Sequence, residues 1–165
     1  FPLAGSFPCC TSDGDKEAER MDYRAATQND AQAVAGLAQK LWPGHSISEL
    51  KEEFAFLLAG QEVVLVLALD GGSPIGFAQC QLRHDYVEGT SGGPVAYLEG
   101  IFVERAYRGL GVARELLRRC EAWGRAQGCR EMASDCTLDN TASEQFHRHT
   151  GFEEANRLIC FVKPL

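Results

Sequence analysis

The sequence predicts a mixed α/β fold, in which a central sheet that is partly antiparallel and partly parallel is flanked by helices. Three observations lead to this prediction. Two amphipathic helical segments come first, two apolar strands joined by a tight turn follow, and a strand–helix–strand unit comes after them. Strands joined by a tight turn pair antiparallel, whereas strands joined through a helix run parallel in a right-handed crossover.

The first half of the chain supplies a strand and two helices. Residues 21–26 predict a short strand. A capping-box pattern at 27–30 begins a helix, which the Pro43-Gly44 pair ends. A second capping box at 46–49 begins another helix with an apolar face. These signals are local, so each element is predicted independently of the rest.

The second half alternates strands and helices. A hairpin pairs residues 62–69 with 73–83 around a glycine turn at 70–72. Beyond it we predict a strand, a long helix, a strand, a short helix and a last strand, at residues 94–103, 109–127, 130–136, 140–150 and near 157–162. Residues 21–165 are thus expected to form one domain, whereas residues 1–20 have no such periodicity and are interpreted as a flexible leader or a remnant of cloning.

The charge of the chain limits its partners. The net charge is −7, with 23 acidic against 16 basic residues. This argues against nucleic acid, whose phosphates require clustered Lys and Arg. No apolar run approaches the roughly 20 residues that span a bilayer, which argues against a membrane protein. An acidic surface suits a cationic small molecule, although many acidic proteins carry their charge only for solubility.

Seven cysteines are present, an odd number with no C-x-x-C pair and no His at zinc-ligand spacing. We therefore expect no metal ion and predict reduced thiols in a cytoplasmic protein.

A glycine turn, RGLGVA at 108–113, joins the strand at 94–103 to the long helix. Glycines at a helix N-terminus let the backbone approach an anion. The P-loop pattern fails because no Lys-Ser/Thr pair follows, and the dinucleotide pattern lacks its third glycine, since Arg114 occupies that position. The R/Q-x-x-G-x-G/A pattern matches at each fixed position. A helix start without any ligand is the plain alternative.

With Asn140 and the Gly151-Phe152 pair, this unit resembles the GNAT superfamily of acetyltransferases over residues 21–162. The resemblance implies the GNAT fold, with acetyl-CoA as the co-substrate and its pyrophosphate on the loop amides. It assigns ten residues to cofactor binding: Ile101, Phe102, Val103, Arg108, Gly109, Leu110, Gly111, Val112, Ala113 and Asn140. The main chain of Ile101 and Val103 would pair with the pantetheine amides, and an N–H near Phe102 or Val103 would meet the oxyanion.

Four further sequence motifs occur in order: LWPGH at 41–45, RHDYV at 83–87, LEGIFV at 98–103 and CREMASD at 129–135. Together they resemble the aminoglycoside 6′-N-acetyltransferases, which are bacterial resistance enzymes. The resemblance implies transfer of acetyl to the 6′-amine of kanamycin- or tobramycin-like drugs in a ternary complex, and a homodimer. Because these drugs are polycations, a carboxylate-lined cleft would attract them.

Two acids are candidates for the reacting amine, since an alkylammonium must be held and must lose a proton before it attacks. Asp135 is the first choice and Glu99 the second; either side chain could instead be a solvated or Arg-paired carboxylate. His147 occupies the position where many superfamily members place a Tyr that protonates the departing thiolate. His147 is therefore a candidate acid, or a helix-surface residue beside a thiolate that leaves unassisted.

Three residues lie in the sequence motifs that are peculiar to the drug-modifying family: Trp42, His45 and Tyr86. Aromatic faces suit sugar rings that carry ammonium groups, although Trp42 could be a core anchor. Asn140 could equally be an N-cap. A covalent route through Cys136, with His147 or His149 as base, has no second supporting signal.

Two other functions stay open at this stage. One is a related acetyltransferase that acts on a polyamine or a protein amine. The other is a regulatory module that binds acyl-CoA without turnover.

Overall fold

The computed structural model describes residues 21–165, so the predicted leader at 1–20 lies outside the described residues. One sheet contains five strands in chain order: β1 (Asp22–Ala25), β2 (Val63–Asp70), β3 (Ser73–Arg83), β4 (Val95–Val103) and β5 (Met132–Ser134). Neighbouring strands are antiparallel except for β4 and β5, which are parallel. The predicted mixed sheet is therefore confirmed.

Helices cover both faces of this sheet. The described residues form four α-helices: α1 (Ala31–Leu41), α2 (Ile47–Leu57), α3 (Val112–Ala126) and α4 (Thr141–His149). In β2, Leu65 and Leu67 pack with α1 and α2, whereas Val66 and Ala68 pack with α3. Successive strand residues point to opposite faces, so a strand covered on both faces is apolar throughout. No helix within residues 21–165 is both long and apolar enough to cross a bilayer.

The long helix begins three residues later than predicted. Gly109 and Gly111 have φ of +80° and +83°, a left-handed conformation that an α-helix does not contain. Gly111 is the N-cap residue, and helical geometry starts at Val112. The two glycines therefore shape a turn before the helix.

A bulge in β4 shortens the predicted strand at 130–136. The pairing of β3 with β4 skips Glu99, because Gln79 lies opposite Gly100 and Cys80 opposite Leu98. On the other edge, β5 pairs with β4 only from Ala96 to Leu98. The two parallel strands thus separate at the bulge, which leaves the rest of β4 with an open edge.

The predicted last strand is wrong. Residues 157–162 form neither strand nor helix, and the side chains of Ile159, Phe161 and Val162 are 79%, 91% and 97% exposed. Arg157 Nε lies 2.6 Å from Glu154 Oε1, and this hydrogen bond lowers the pKa of Glu154 to about 2. Within residues 21–165 the segment pairs with no strand.

Candidate active site

The open edge of β4 presents unpaired backbone groups. Glu104 N–H donates to Ile75 O on β3 at 2.8 Å. Because backbone groups alternate along a strand, those of Val103 and Ile101 face the opposite edge. Before the bulge, Ala96 N–H donates to Glu131 O beside β5, so the bulge at Glu99 changes which residues face this edge. Main-chain donors and acceptors are therefore available where the parallel strands separate.

The glycine turn lies beside the end of this edge. Arg108 Nε donates to Val103 O at 3.0 Å, which ties the turn to the last residue of β4. The first turn of α3 follows, and the first N–H groups of a helix have no intrahelical acceptor. The helix dipole adds positive potential there. A cavity of about 860 Å³ borders the turn at Gly111 only and runs along α3 past Glu115 and Glu121. The turn can thus hold an anionic group.

The two candidate acids are each held by one oxygen. Glu99 Oε1 accepts from Gln81 Nε2 and from Arg83, at 3.1 Å from Nε and 2.8 Å from Nη2. Asp135 follows β5, and its Oδ1 accepts from the hydroxyl of Tyr97. Within residues 21–165 the second oxygen of neither carboxylate has a hydrogen-bond partner. Each acid is therefore oriented by the protein and keeps an acceptor for a ligand.

A guanidinium–aromatic contact lies between these acids. The guanidinium carbon of Arg83 is 3.3 Å from the ring centroid of Tyr97. Tyr97 is only 7% exposed, and burial, followed by the hydrogen bond to Asp135, raises the pKa of its hydroxyl. Tyr97 therefore remains a hydrogen-bond donor at neutral pH. Sequence reasoning did not identify Arg83 or Tyr97 as part of the site.

A signal for these residues was present in the sequence. Gln81 and Arg83 alternate with apolar residues at the end of β3, and Gln81 lies opposite Tyr97. Such alternation places all three side chains on one face of the sheet. Polar side chains at alternate positions of an otherwise buried strand pair indicate a polar cluster.

His147 joins α4 to β5. Its Nδ1 lies 2.7 Å from Ser143 O, a group that only accepts, so Nδ1 carries the proton of this bond. Its Nε2 lies 2.9 Å from Ser134 Oγ, and that hydroxyl donates to Leu98 O at 3.0 Å. The Ser134 hydroxyl therefore links His147 Nε2 to the backbone of β4. The ring thus lies at the point where β4 and β5 separate.

The residues predicted for drug binding are only partly brought together. The ring of Trp42 covers the β4 bulge so closely that a Cβ on Gly100 would lie 2.6 Å from Trp42 Cζ2. Its ring centroid is 6.2 Å from that of Phe77, so Trp42 is also a packing residue. Trp42 therefore neighbours Glu99.

Two other predicted residues lie on exposed loops. His45 donates its N–H to Trp42 O, and the Tyr86 hydroxyl donates to Glu88 at 2.7 Å. Among the described residues neither side chain hydrogen-bonds to Glu99 or Asp135. Asn140 acts as the N-cap of α4, because its Oδ1 accepts from Ser143 N–H at 3.1 Å. For Cys136, no hydrogen bond to His147 or His149 occurs among residues 21–165.

The chain is similar to known proteins over most of its length. The model of the acetyltransferase (GNAT) family matches residues 29–152. An aminoglycoside N(6′)-acetyltransferase type 1 from Stenotrophomonas maltophilia is 44% identical over 144 residues, which are 86% of this chain and 92% of that protein. One of the same name from Salmonella enteritidis is 40% identical over 143 residues, covering 87% and 99%.

Solved structures agree with these sequence similarities. The aminoglycoside N-acetyltransferase AAC(6′)-Iy in complex with CoA superposes with a TM-score of 0.85 at 39% identity, covering 88% of this chain and 95% of the other. The same enzyme with the bisubstrate analogue CoA-S-monomethyl-acetylneamine gives a TM-score of 0.84 at 39% identity, covering 88% and 99%.

Proposed function

The chain belongs to the acetyltransferase (GNAT) family and, within it, to the aminoglycoside N(6′)-acetyltransferases, and on this premise we propose what its own residues do. The protein transfers acetyl from acetyl-CoA to the 6′-amine of aminoglycoside antibiotics and thereby confers resistance to them. The carrying observation is that two carboxylates, each held by one oxygen, flank the open edge of β4. The aminoglycoside, which accepts the acetyl group, binds at these two acids. Acetyl-CoA, which donates it, binds at the open edge of β4 and the glycine turn.

The donor half of the site suits acetyl-CoA. The bound co-substrate supplies an acetyl thioester and a pyrophosphate. The pyrophosphate suits the amides of residues 109–113, where positive-φ glycines leave the backbone accessible and Arg108 adds positive charge. The pantetheine amides suit the backbone groups of Ile101 and the N–H of Val103 on the open edge of β4, since Val103 O already accepts from Arg108. Backbone N–H groups alternate along β4, so Val103 N–H faces the open edge whereas Phe102 N–H faces β3. Val103 N–H is therefore favoured as the oxyanion donor.

The acceptor half of the site suits an ammonium group. We assign Asp135 to hold the reacting 6′-ammonium and to take its proton, directly or through water. Glu99 holds the same amine from the adjoining strand. Trp42 offers an aromatic wall next to Glu99, and Tyr86 and His45 supply contacts to the sugar rings from the flanking loops. With a net charge of −7, the protein also attracts a polycation at long range.

Two roles compete for His147. It could protonate the departing thiolate of CoA, or it could hold α4 against β5 while the thiolate leaves unassisted. Both ring nitrogens already bond protein atoms, which favours the second role.

We also propose that the enzyme is a cytoplasmic homodimer with residues 21–165 acting as one domain. The five cysteines among the described residues are unpaired, which suits a reducing compartment. The exposed apolar residues after Arg157 suit an interface with a second copy, because contiguous apolar surface of this kind marks association sites.

The test is thiol release from acetyl-CoA with two matched drugs. Neomycin carries a 6′-amine and paromomycin a hydroxyl in its place, so we expect turnover with neomycin alone. Asp135→Asn should lower kcat/KM for neomycin by about 100-fold, the size of a lost general base. Glu53→Gln on the exposed face of α2 makes the same charge change and should have no effect. Release with spermidine or a peptide but not with neomycin would overturn the proposal.

A further inference from the structure

Five side chains form a continuous cluster on the sheet face opposite α3. We define the acid clamp as Gln81, Arg83, Tyr97, Glu99 and Asp135. Its contacts run from Gln81 and Arg83 to Glu99, from Arg83 to the ring of Tyr97, and from the Tyr97 hydroxyl to Asp135. The two proposed amine-binding carboxylates are thus connected through two residues with no proposed contact to substrate.

The geometry points to a positioning role for Arg83 in the proposed transfer reaction. We infer that Arg83 fixes Glu99 and, through the ring of Tyr97, Asp135 in the relative orientation that the reacting amine requires. This inference rests on the proposed function and adds to it a residue that determines turnover without touching the substrate.

Arginine is suited to this position for a chemical reason. Its planar guanidinium directs Nε and Nη2 to a single oxygen of Glu99 while its face lies on the ring of Tyr97. A lysine ammonium is not planar and cannot make both contacts at once. The Arg83 side chain is 39% exposed and that of Glu99 only 20%, so the acid is the more enclosed member of the pair.

Neither end of the acid clamp lies where β4 and β5 are paired. Glu99 sits in the β4 bulge, where strand pairing to β5 has ended. Asp135 follows the last residue of the three-residue strand β5 and is exposed. Neither backbone position is fixed by a second strand, so side-chain contacts must supply the orientation. Misplacement of reacting groups by about 1 Å can lower a rate by about 100-fold.

Arg83 should therefore affect kcat rather than KM. Removing it loosens both acids, which lowers the rate of the bound complex. It also removes a positive charge from a cleft that binds a polycation, so the attraction for the drug does not weaken. A residue that merely held the fold would lower stability and raise KM instead.

The experiment compares Arg83→Met, which keeps the length of the chain, with Arg83→Lys, which keeps the charge. With neomycin we expect kcat to fall about tenfold or more for both variants, while KM stays unchanged or falls. Arg125→Met is the matched control, because it breaks another Arg–Glu pair at 3.1 Å on the exposed side of α3 and should leave kcat unchanged.

A double-mutant cycle tests the path of the effect. Because Arg83 is proposed to act on Glu99 and, through Tyr97, on Asp135, the double variant Arg83→Met/Glu99→Gln should lose less kcat than the two single losses combined. Additive losses of kcat in the double variant would overturn the inference, as would a raised KM with unchanged kcat for Arg83→Met. Either result leaves the proposed function supported as long as the wild type turns over neomycin. A wild-type protein that turns over no 6′-amine overturns the proposed function and this inference with it.

Discussion

At the scale of single residues, His147 shows how hydrogen bonds limit a chemical role. A proton donor to the thiolate must present an N–H toward the sulfur. Here Nδ1 is committed to Ser143 O and Nε2 to Ser134 Oγ, whose hydroxyl in turn donates to Leu98 O. A proton would leave the ring only through Ser134 or after the bond to Ser134 breaks. The arrangement is better suited to holding the junction of β4, β5 and α4 than to acid catalysis.

We therefore expect His147→Ala to lower kcat with neomycin by less than about tenfold, whereas a lost general acid costs about 100-fold or more. The same variant should lower Tm, because it removes two hydrogen bonds and the edge contact between His147 and Phe152, whose centroids are 5.0 Å apart. Steady-state kinetics beside thermal unfolding check this. A loss of kcat as large as that of Asp135→Asn, at unchanged Tm, would assign His147 as the proton donor.

At the scale of elements, local chemistry was predictable from the sequence and non-local pairing was not. The capping box at the start of α2 is confirmed, since Ser46 Oγ accepts from Glu49 N–H at 3.2 Å and Glu49 accepts from Ser46 N–H at 2.8 Å. The hairpin of β2 and β3 also formed as predicted, because its turn contains two consecutive glycines with positive φ.

The structural features that the sequence did not predict depend on how strands distant in the chain pair with each other. The contact between Arg83 and Tyr97 requires β3 to pair with β4 across the loop at 84–94, and the bulge at Glu99 is marked locally only by Gly100, which does not tell how the two strands pair around it. The last strand failed for a related reason: residues 157–162 have a strand-like composition, but a strand also needs an edge to pair with. Periodicity describes one segment at a time and contains no information about its partner.

The start of α1 provides a pH-dependent prediction at this scale. Asp30 accepts from Thr27 N–H at 2.7 Å, and Arg24 adds two hydrogen bonds at 2.7 and 2.8 Å. These bonds, that of Arg24 above all, lower the pKa of the Asp30 carboxyl. Because the folded pKa lies below the unfolded one, the stabilisation is present above the unfolded pKa and is lost as the pH falls.

We expect Asp30→Asn to lower the free energy of unfolding by about 1 kcal/mol at pH 7. The difference from wild type should stay constant down to about pH 5 and shrink below about pH 4, where Asp begins to protonate in the unfolded chain. Urea unfolding across this range measures it. Asp22→Asn, on exposed β1, is the matched control and should change little. A difference that grows as the pH falls would contradict this account of Asp30.

At the scale of the whole molecule, the fold does not bury the apolar segment after Arg157, LICFVKPL at residues 158–165. The residues just before it are docked, since Asn156 donates to Glu88 at 3.0 Å and Gly89 approaches Ala155 so closely that a Cβ on Gly89 would clash with Ala155 Cβ. Beyond them, Leu158 and Ile159 are 59% and 79% exposed. Burying four of its five exposed apolar side chains, those of Leu158, Ile159, Phe161 and Val162, would contribute about 6–12 kcal/mol before the costs of association.

In the proposed homodimer, a second copy of the chain supplies the strand edge with which this segment pairs. Among residues 21–165, β5 is the outer strand of the sheet and pairs with β4 alone, so its other edge can accept the segment of a second molecule as an added strand. Both partners offer the same two surfaces, the segment and the edge, as a symmetric dimer requires. The open side of the active site then lies beside the interface, because β5 also leads to Asp135.

Phe161→Asp should therefore convert the protein to a monomer at about 10 µM, since it places a charge where an apolar side chain is to be buried. Lys163→Gln makes a charge change of the same size in the same segment and should leave the dimer intact. Sedimentation velocity gives the mass of each form. A wild type that sediments as a monomer, or a Phe161→Asp variant that remains a dimer, would contradict this interface. If the interface is correct, the monomer should also lose activity with neomycin, because its β5 edge, next to Asp135, is then unsupported.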